Sequence, residues 1–168
     1  MNRAVSASND LVIRTASPLD VQVLGAFGTL LVALHHKLDP QRFIETTRTT
    51  PANYTGFLER KISDPNAMLF VAEQGGILLG YVYGEMEGHD YMSLRGPAGV
   101  VHDLFVDASR RREGIGRLLI VTILSEIKAR GAQRVVLSTA HQNKTAQQLF
   151  AALGFRATMI EMTRELKD

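Results

Sequence analysis

The segment from Leu104 to Arg117 combines a strand-like stretch, a run of arginines and two glycines at the start of an apolar helix. A strand that leads into a helix start leaves backbone N–H groups without partners, and the helix dipole adds partial positive charge there. Gly114 and Gly116 carry no side chain that would block an approaching anion. The junction therefore has the chemistry to hold a phosphate or pyrophosphate.

The charge of this segment favours the same interpretation. Four arginines outnumber two acidic residues between positions 107 and 117, an excess as large as the +2 net charge of the whole chain. An ordinary turn with solvated arginines is the alternative, and the pattern alone leaves both open. Two nucleotide motifs do not fit, because Leu119 stands where a dinucleotide fingerprint has its third glycine and no Gly-Lys-Ser/Thr follows.

The periodicity of the chain predicts a mixed α/β sheet with helices on both faces. Gly75-Gly76 separates two apolar stretches and predicts an antiparallel hairpin. The predicted strands cover 11–14, 68–73, 77–86, 99–106, 134–139 and 158–165, and the predicted helices cover 18–36, about 57–62, 115–131 and 143–153.

Composition limits the class of protein. The 168 residues, 45% hydrophobic and 21% charged, predict one globular domain over 1–168. The absence of cysteine excludes a disulfide scaffold, a cysteine-based zinc site and a thiolate nucleophile. The small net charge argues against nucleic acid as a partner. The apolar stretch near 118–124 is far shorter than a bilayer span, so we expect a cytoplasmic protein without a membrane partner.

Two motifs follow one another in the second half of the chain. Arg111, Gly114 and Gly116 match Arg/Gln-x-x-Gly-x-Gly/Ala between a strand and a helix, and the run from Asn143 to Phe155 matches Asn-x-x-Ala-x-x-Leu-Tyr-x-x-x-Gly-Phe. In this arrangement the sequence resembles the GNAT superfamily of N-acetyltransferases, over about 101–155. The resemblance implies a mixed, mostly antiparallel central sheet of about six strands flanked by four helices.

The resemblance also implies a site for acetyl-CoA, as co-substrate, in a V-shaped gap beside the strand that ends at Val106. The pyrophosphate would lie on the amides from Arg112 to Arg117, which we call the glycine turn, and the pantetheine arm would pair with the backbone of Leu104 to Val106. The residues so implied are Leu104, Phe105, Val106, Arg111, Arg112, Glu113, Gly114, Ile115, Gly116, Arg117, Asn143 and Phe150. For Asn143, capping of the following helix is an equally good interpretation.

Catalysis by such a site needs an oxyanion donor and a base. In the family a strand amide, here that of Phe105 or Val106, polarises the thioester carbonyl, on which charge grows during attack. An alkylamine has a pKa near 10 and must lose a proton before it attacks. His102 and Asp103 precede the donor, in a strand that resembles Glu-Asp-Phe-Phe-Val of polyamine-type acetyltransferases, with histidine in place of glutamate. Because neighbouring strand residues face opposite sides, we expect only one of them in the cleft, and a histidine hydrogen-bonded within the sheet is the alternative.

Phe150 departs from the family, which has a tyrosine there that protonates the leaving thiolate. A solvent proton, or one from Tyr81 or Tyr83, could replace it. An acidic run at Glu85, Glu87 and Asp90 could attract a cationic amine, or be a solvated loop.

The sequence therefore predicts an acetyl-CoA-dependent N-acetyltransferase without a metal, acting on a small-molecule or peptide amine by direct attack in a ternary complex. A non-catalytic acyl-CoA-binding or regulatory module of the same fold is the alternative. The family sheet normally has two strands after the Gly-Phe motif, but the thirteen residues of 156–168 suffice for one. An uncovered sheet edge would then favour a homodimer.

Overall fold

The computed structural model describes residues 10–166 and contains one five-stranded sheet and four α-helices. The sheet order is β1-β2-β3-β4-β5, antiparallel except for the parallel pair β4 and β5. This confirms the mixed, mostly antiparallel α/β fold. The elements are β1 Val12–Thr15, α1 Val21–Leu38, α2 Thr50–Ile62, β2 Ala67–Gln74, β3 Ile77–Glu87, β4 Ala98–Val106, α3 Ile115–Ala129, β5 Val135–Leu137 and α4 Lys144–Ala152.

The sheet has one strand fewer than predicted, because 158–165 forms no strand among the described residues. Its apolar side chains are exposed, Ile160 at 86% and Met162 at 89%. Within this segment, Glu161 forms an ion pair with Arg42. Strand-like composition predicted a strand here, but a strand also needs a neighbour. The homodimer stays a prediction.

Helix α2 begins at Thr50, seven residues before the expected start at 57. Pro51 suits the first turn of a helix, where an N–H would have no partner in any case. The hydroxyl of Thr50 also accepts a hydrogen bond from the backbone N–H of Thr47 at 2.8 Å. The earlier start places Tyr54 and Phe57 on the same helix, close to the sheet.

Each face of the sheet has its own hydrophobic core, as predicted for helices on both faces. On one face α1 and α2 contribute Leu24 and Leu58 to a cluster with Tyr81 and Phe105. On the other face Leu119 and four further side chains of α3 pack with strand residues and with α4. Strand β4 lies between the two layers, so its alternate residues belong to different cores.

Helix α1 is more apolar than the sequence analysis recognised. With the turn before it, it spans 21 residues, Pro18–Leu38, at a mean hydropathy of 1.4, which is enough by length and composition to cross a membrane. Its buried residues pack against the sheet and α2, as in a core helix, and 39% of an apolar 18-residue stretch within the span is buried. The absence of a membrane partner stays a prediction.

The contact between α1 and α2 depends on glycine. A Cβ at Gly28 would lie 2.1 Å from the ring of Tyr54, whereas a Cβ at Gly56 would meet nothing nearer than 3.7 Å. We expect Gly28→Ala to lower the free energy of unfolding by about 1–3 kcal/mol, because the ring must move. Chemical denaturation checks this, with Gly56→Ala as the control, expected to be neutral or stabilising by up to about 1 kcal/mol. Equal stability of the two variants would contradict this packing.

Candidate active site

The sheet opens beside the second half of β4. Strand β5 pairs with β4 only from Gly99 to Val101, so within the described chain residues 102–106 have no strand neighbour on that side. The N–H of Asp107 bonds to the carbonyl of Leu79 on the β3 side at 2.8 Å. Because amide directions alternate along a strand, the N–H groups of Leu104 and Val106 point into the gap, and that of Phe105 points toward β3. Of the two predicted oxyanion donors, the structure therefore favours Val106.

The glycine turn lies at the end of this gap. Gly114 precedes α3 with a φ of +83°, and a Cβ there would meet no atom within 4 Å. The first backbone hydrogen bond of the helix runs from the N–H of Leu118 to the carbonyl of Gly114, at 3.1 Å. The N–H groups of residues 115–117 come before it and therefore have no carbonyl partner within the helix. They are the donors that the sequence analysis predicted for a diphosphate.

The arginines around the turn have different environments. Arg110 pairs with Glu113 at 2.9 Å. Arg111 folds back, and its Nε donates to the carbonyl of Val106 at 3.1 Å. Arg112 is exposed and has a φ of +66°, a strained value for a residue with a side chain. Two of these guanidinium groups are therefore engaged within the protein, while Arg112 is exposed at the turn.

A β-bulge in β4 changes which side chains share a face. Tyr83 pairs with Asp103, but the next residue, Gly84, pairs with Val101, so His102 is the extra residue. His102 and Asp103 both line one cavity on the α1–α2 side of the sheet. The expectation that only one of them could face the cleft was wrong, because a bulge interrupts the alternation on which it relied.

This cavity has a volume of about 590 Å³ and lies between the sheet and α2. Its walls combine apolar and aromatic side chains from α1, α2 and the segment between them with polar groups from β3 and β4. The lining residues are Val32, Ile44, Thr50, Asn53, Tyr54, Phe57, Lys61, Tyr83, Glu85, Glu87, His102 and Asp103. We call it the acceptor cavity.

Asp103 is held by two tyrosines at one end of the acceptor cavity. The hydroxyls of Tyr54 and Tyr81 both donate to its Oδ2, Tyr81 at 2.9 Å. Burial raises the pKa of Asp103 above its ordinary value, and the two hydrogen bonds oppose that shift. Burial, together with the charge of Asp103, also raises the pKa of both tyrosines, so both hydroxyls stay protonated near neutral pH.

His102 is oriented by Glu87. Its Nε2 lies 3.0 Å from Glu87 Oε1, and its ring stacks on Tyr83 at a centroid distance of 5.3 Å. His102 is therefore hydrogen-bonded within the sheet, as the alternative interpretation predicted. The ring is nevertheless partly exposed to the cavity, so the same contact can hold an imidazole for proton transfer.

Two carboxylates of the acidic run already have partners within the protein. Glu85 pairs with Lys61 and with the hydroxyl of Tyr83, and Glu87 pairs with Arg95 at 2.6 Å. Ligand atoms of Glu85, Glu87 and His102 lie within 4.8 Å of one another, close enough to share a cation. Because both carboxylates already have cationic partners, the cluster gives little support to a metal, and the metal-free reaction stays a prediction.

The second motif lies at the start of α4. The Oδ1 of Asn143 accepts the N–H of Ala146 at 3.1 Å, so the helix-capping interpretation is confirmed. Phe150 is 8% exposed and packs against Phe155 at a centroid distance of 5.9 Å. The ring lies in the core, although it was predicted among the cofactor contacts. The hydroxyls of Tyr81 and Tyr83 already bond to Asp103 and Glu85, so neither is a free proton donor.

Three residues of the site, Tyr54, Phe57 and Lys61, were not predicted from the sequence. All three lie on α2, whose predicted start was 57 and which no motif connected with the site. Arg95 was missed as well, since it lies in a loop without a motif. The one signal in the sequence that could have identified the α2 residues is Pro51, because proline favours the first turn of a helix.

Known proteins resemble this chain in sequence and in fold. Residues 31–155 match the model of the acetyltransferase (GNAT) family. A mycothiol acetyltransferase from Thermobispora bispora is 32% identical over 112 residues, which are 62% of this chain and 36% of the relative. The chain thus matches about a third of that relative's length.

Solved structures share the fold. A mutant of the BH1408 protein from Bacillus halodurans has a TM-score of 0.80 at 22% identity, covering 93% of this chain and 99% of that one. An aminoglycoside N-acetyltransferase in complex with CoA has a TM-score of 0.70 at 18% identity, covering 97% and 99%. Because the family match spans most of the chain, including both motifs and the open strand, the protein belongs to the acetyltransferase (GNAT) family.

Proposed function

We propose that the protein transfers an acetyl group from acetyl-CoA to a primary amine by direct attack in a ternary complex. The observation that carries the proposal is the juxtaposition along β4. Residues 102–106 have no strand neighbour on the β5 side within the described chain, and two of them, His102 and Asp103, also line the acceptor cavity. One strand thus offers backbone to a thioester and side chains to an amine. Two of the similar proteins, the mycothiol acetyltransferase and the aminoglycoside N-acetyltransferase, are named for small-molecule acceptors, which agrees with such an acceptor here.

In this proposal the turn before α3 binds the diphosphate. The N–H groups of residues 114–117 and the positive end of the α3 dipole face the two phosphates. The pantetheine arm pairs with the N–H and carbonyl groups that Leu104 directs into the gap. The Nδ2 of Asn143 stays available to the arm, since capping uses only Oδ1.

The acceptor arrives as an ammonium ion and must lose a proton. Asp103 attracts the ammonium, and His102 takes its proton directly or through one water molecule. Glu87 orients the imidazole through Nε2, so the other ring nitrogen, Nδ1, faces the amine. The neutral amine then has a lone pair for attack.

The amine nitrogen attacks the thioester carbon, and a C–N bond forms. Negative charge moves to the carbonyl oxygen, where the N–H of Val106 stabilises it. The C–S bond then breaks, and the thiolate of CoA leaves with the electron pair. With a phenylalanine at 150, the thiolate takes its proton from solvent. His102 passes the first proton to solvent, and the attacking nitrogen loses its second proton to water as the amide forms, so the reaction releases one proton overall.

The non-catalytic acyl-CoA-binding module is the second candidate, because Phe150 packs in the core and supplies no proton. Both candidates require the glycine turn to bind CoA. Only the enzyme requires an acceptor cavity with a base.

A thiol-release assay over a panel of primary amines tests the proposal. We expect acetylation of at least one amine, with CoA and acetylated amine formed in equal amounts and intersecting initial-velocity lines for the two substrates. Parallel lines would contradict direct attack. Tight CoA binding without turnover on any amine would favour the non-catalytic module.

A further inference from the structure

We propose that the preferred acceptor is a primary amine on an apolar body that carries no second cationic group. This inference rests on the proposed acetyl transfer and adds the chemical class of the acceptor. It follows from the charges that line the acceptor cavity and from how each of them is already paired.

Three carboxylates line the acceptor cavity, and two of them are neutralised by the protein itself. Lys61 forms an ion pair with Glu85, and Arg95 forms one with Glu87 at 2.6 Å. The ammonium of Lys61 also lies 5.8 Å from the ring centroid of Phe57, within the range of a cation–π interaction. A ligand cation would have to displace one of these partners to reach either glutamate.

Asp103 is the remaining carboxylate. It makes no ion pair with a lysine or arginine in the part of the chain that the structure describes, and its hydrogen bonds come from the neutral hydroxyls of Tyr54 and Tyr81. It lies beside His102, at the point where the sheet opens toward the thioester site. The cavity therefore offers one carboxylate without a lysine or arginine partner, at the place where the reacting ammonium must bind.

The rest of the wall favours an apolar body. Val32, Ile44, Tyr54 and Phe57 supply the apolar and aromatic part of the lining. Moving a second ammonium from water onto such a surface costs free energy unless a carboxylate receives it. A polycation therefore loses hydration without gaining a partner, whereas an alkyl or aryl group gains from burial.

A matched pair of substrates tests this inference. Hexylamine and 1,6-diaminohexane have the same carbon chain and differ in one terminal ammonium group. We expect kcat/KM for hexylamine to exceed that for the diamine by at least about tenfold, which corresponds to about 1.4 kcal/mol. The difference should lie mainly in KM, since the reacting end is the same.

The variant Lys61→Met supplies the second arm. Methionine has an unbranched side chain of similar length but no cation, so Glu85 becomes free to receive the far ammonium of the diamine. We expect the ratio of the two kcat/KM values to move at least about fivefold toward the diamine, a shift of about 1 kcal/mol. Lys128→Met is the control, because Lys128 is exposed in the last turn of α3 and does not line the cavity.

The outcomes separate the inference from the proposed function. A wild-type preference for the diamine, an unchanged ratio in Lys61→Met, or no turnover of hexylamine while other amines react would each overturn the inference alone. No turnover with any amine of the panel would overturn the proposed function and this inference together.

Discussion

Replacing Gly114 with aspartate should weaken CoA binding by at least about 100-fold, close to 2.7 kcal/mol, as measured by titration calorimetry. Position 114 has open space around it, so the carboxylate fits without a clash. It would then stand where the diphosphate lies and repel it. Aspartate tolerates a positive φ better than most residues, so the fold should survive the change.

Gly131→Asp is the matched control for this variant. Gly131 has a φ of +88°, no atom within 4 Å of a Cβ, and a place just after the other end of α3. An aspartate is less favourable near a helix C-terminus than before its N-terminus, so Gly131→Asp should be the less stable of the two variants. It should nevertheless bind CoA like the wild type. Equal losses of affinity in both variants would mean that strain, and not the position of the turn, weakens binding.

His102→Gln should lower kcat by about 100-fold, the lower range for general acid–base catalysis, and leave the Kd for CoA unchanged. Glutamine can still hydrogen-bond to Glu87, so the position of the side chain is kept while proton transfer is lost. Initial-rate assays with the best amine of the panel give kcat, and titration calorimetry gives the Kd for CoA.

His89→Gln is the control for the proton-transfer role. His89 is an exposed histidine in the loop after β3, stacks on Tyr91, and does not line the acceptor cavity. Its replacement should change kcat by less than about twofold, as is usual for surface positions. If His102→Gln behaves in the same way, the histidine is structural, and Asp103 becomes the remaining candidate base.

The parts of the site that the sequence predicted depend on local structure. A glycine turn before a helix is set by Gly114 and by the residues next to it, so its backbone could be anticipated from spacing alone. The same holds for the cap at Asn143, whose oxygen bonds to an N–H three residues away. Alternation of strands and helices likewise gave the fold class and the two cores.

The parts that the sequence did not predict depend on distant neighbours. The bulge at His102 is visible only in the pairing of β4 with β3, and it brings His102 and Asp103 to one face. Tyr54 and Asp103 are 49 residues apart in the sequence. They come together because glycines in α1 let α2 pack closely against that helix. The segment 158–165 has strand-like residues but pairs with no strand of the described chain. Tertiary contacts of this kind leave no periodic signal in a single sequence.

A crystal structure of the protein with CoA tests the central claim most directly. We expect the diphosphate oxygens within about 3 Å of the backbone nitrogens between Gly114 and Arg117, a normal hydrogen-bond length, and the pantetheine arm along Leu104 and Val106. An empty turn, with CoA bound elsewhere on the protein or not bound at all, would contradict the account.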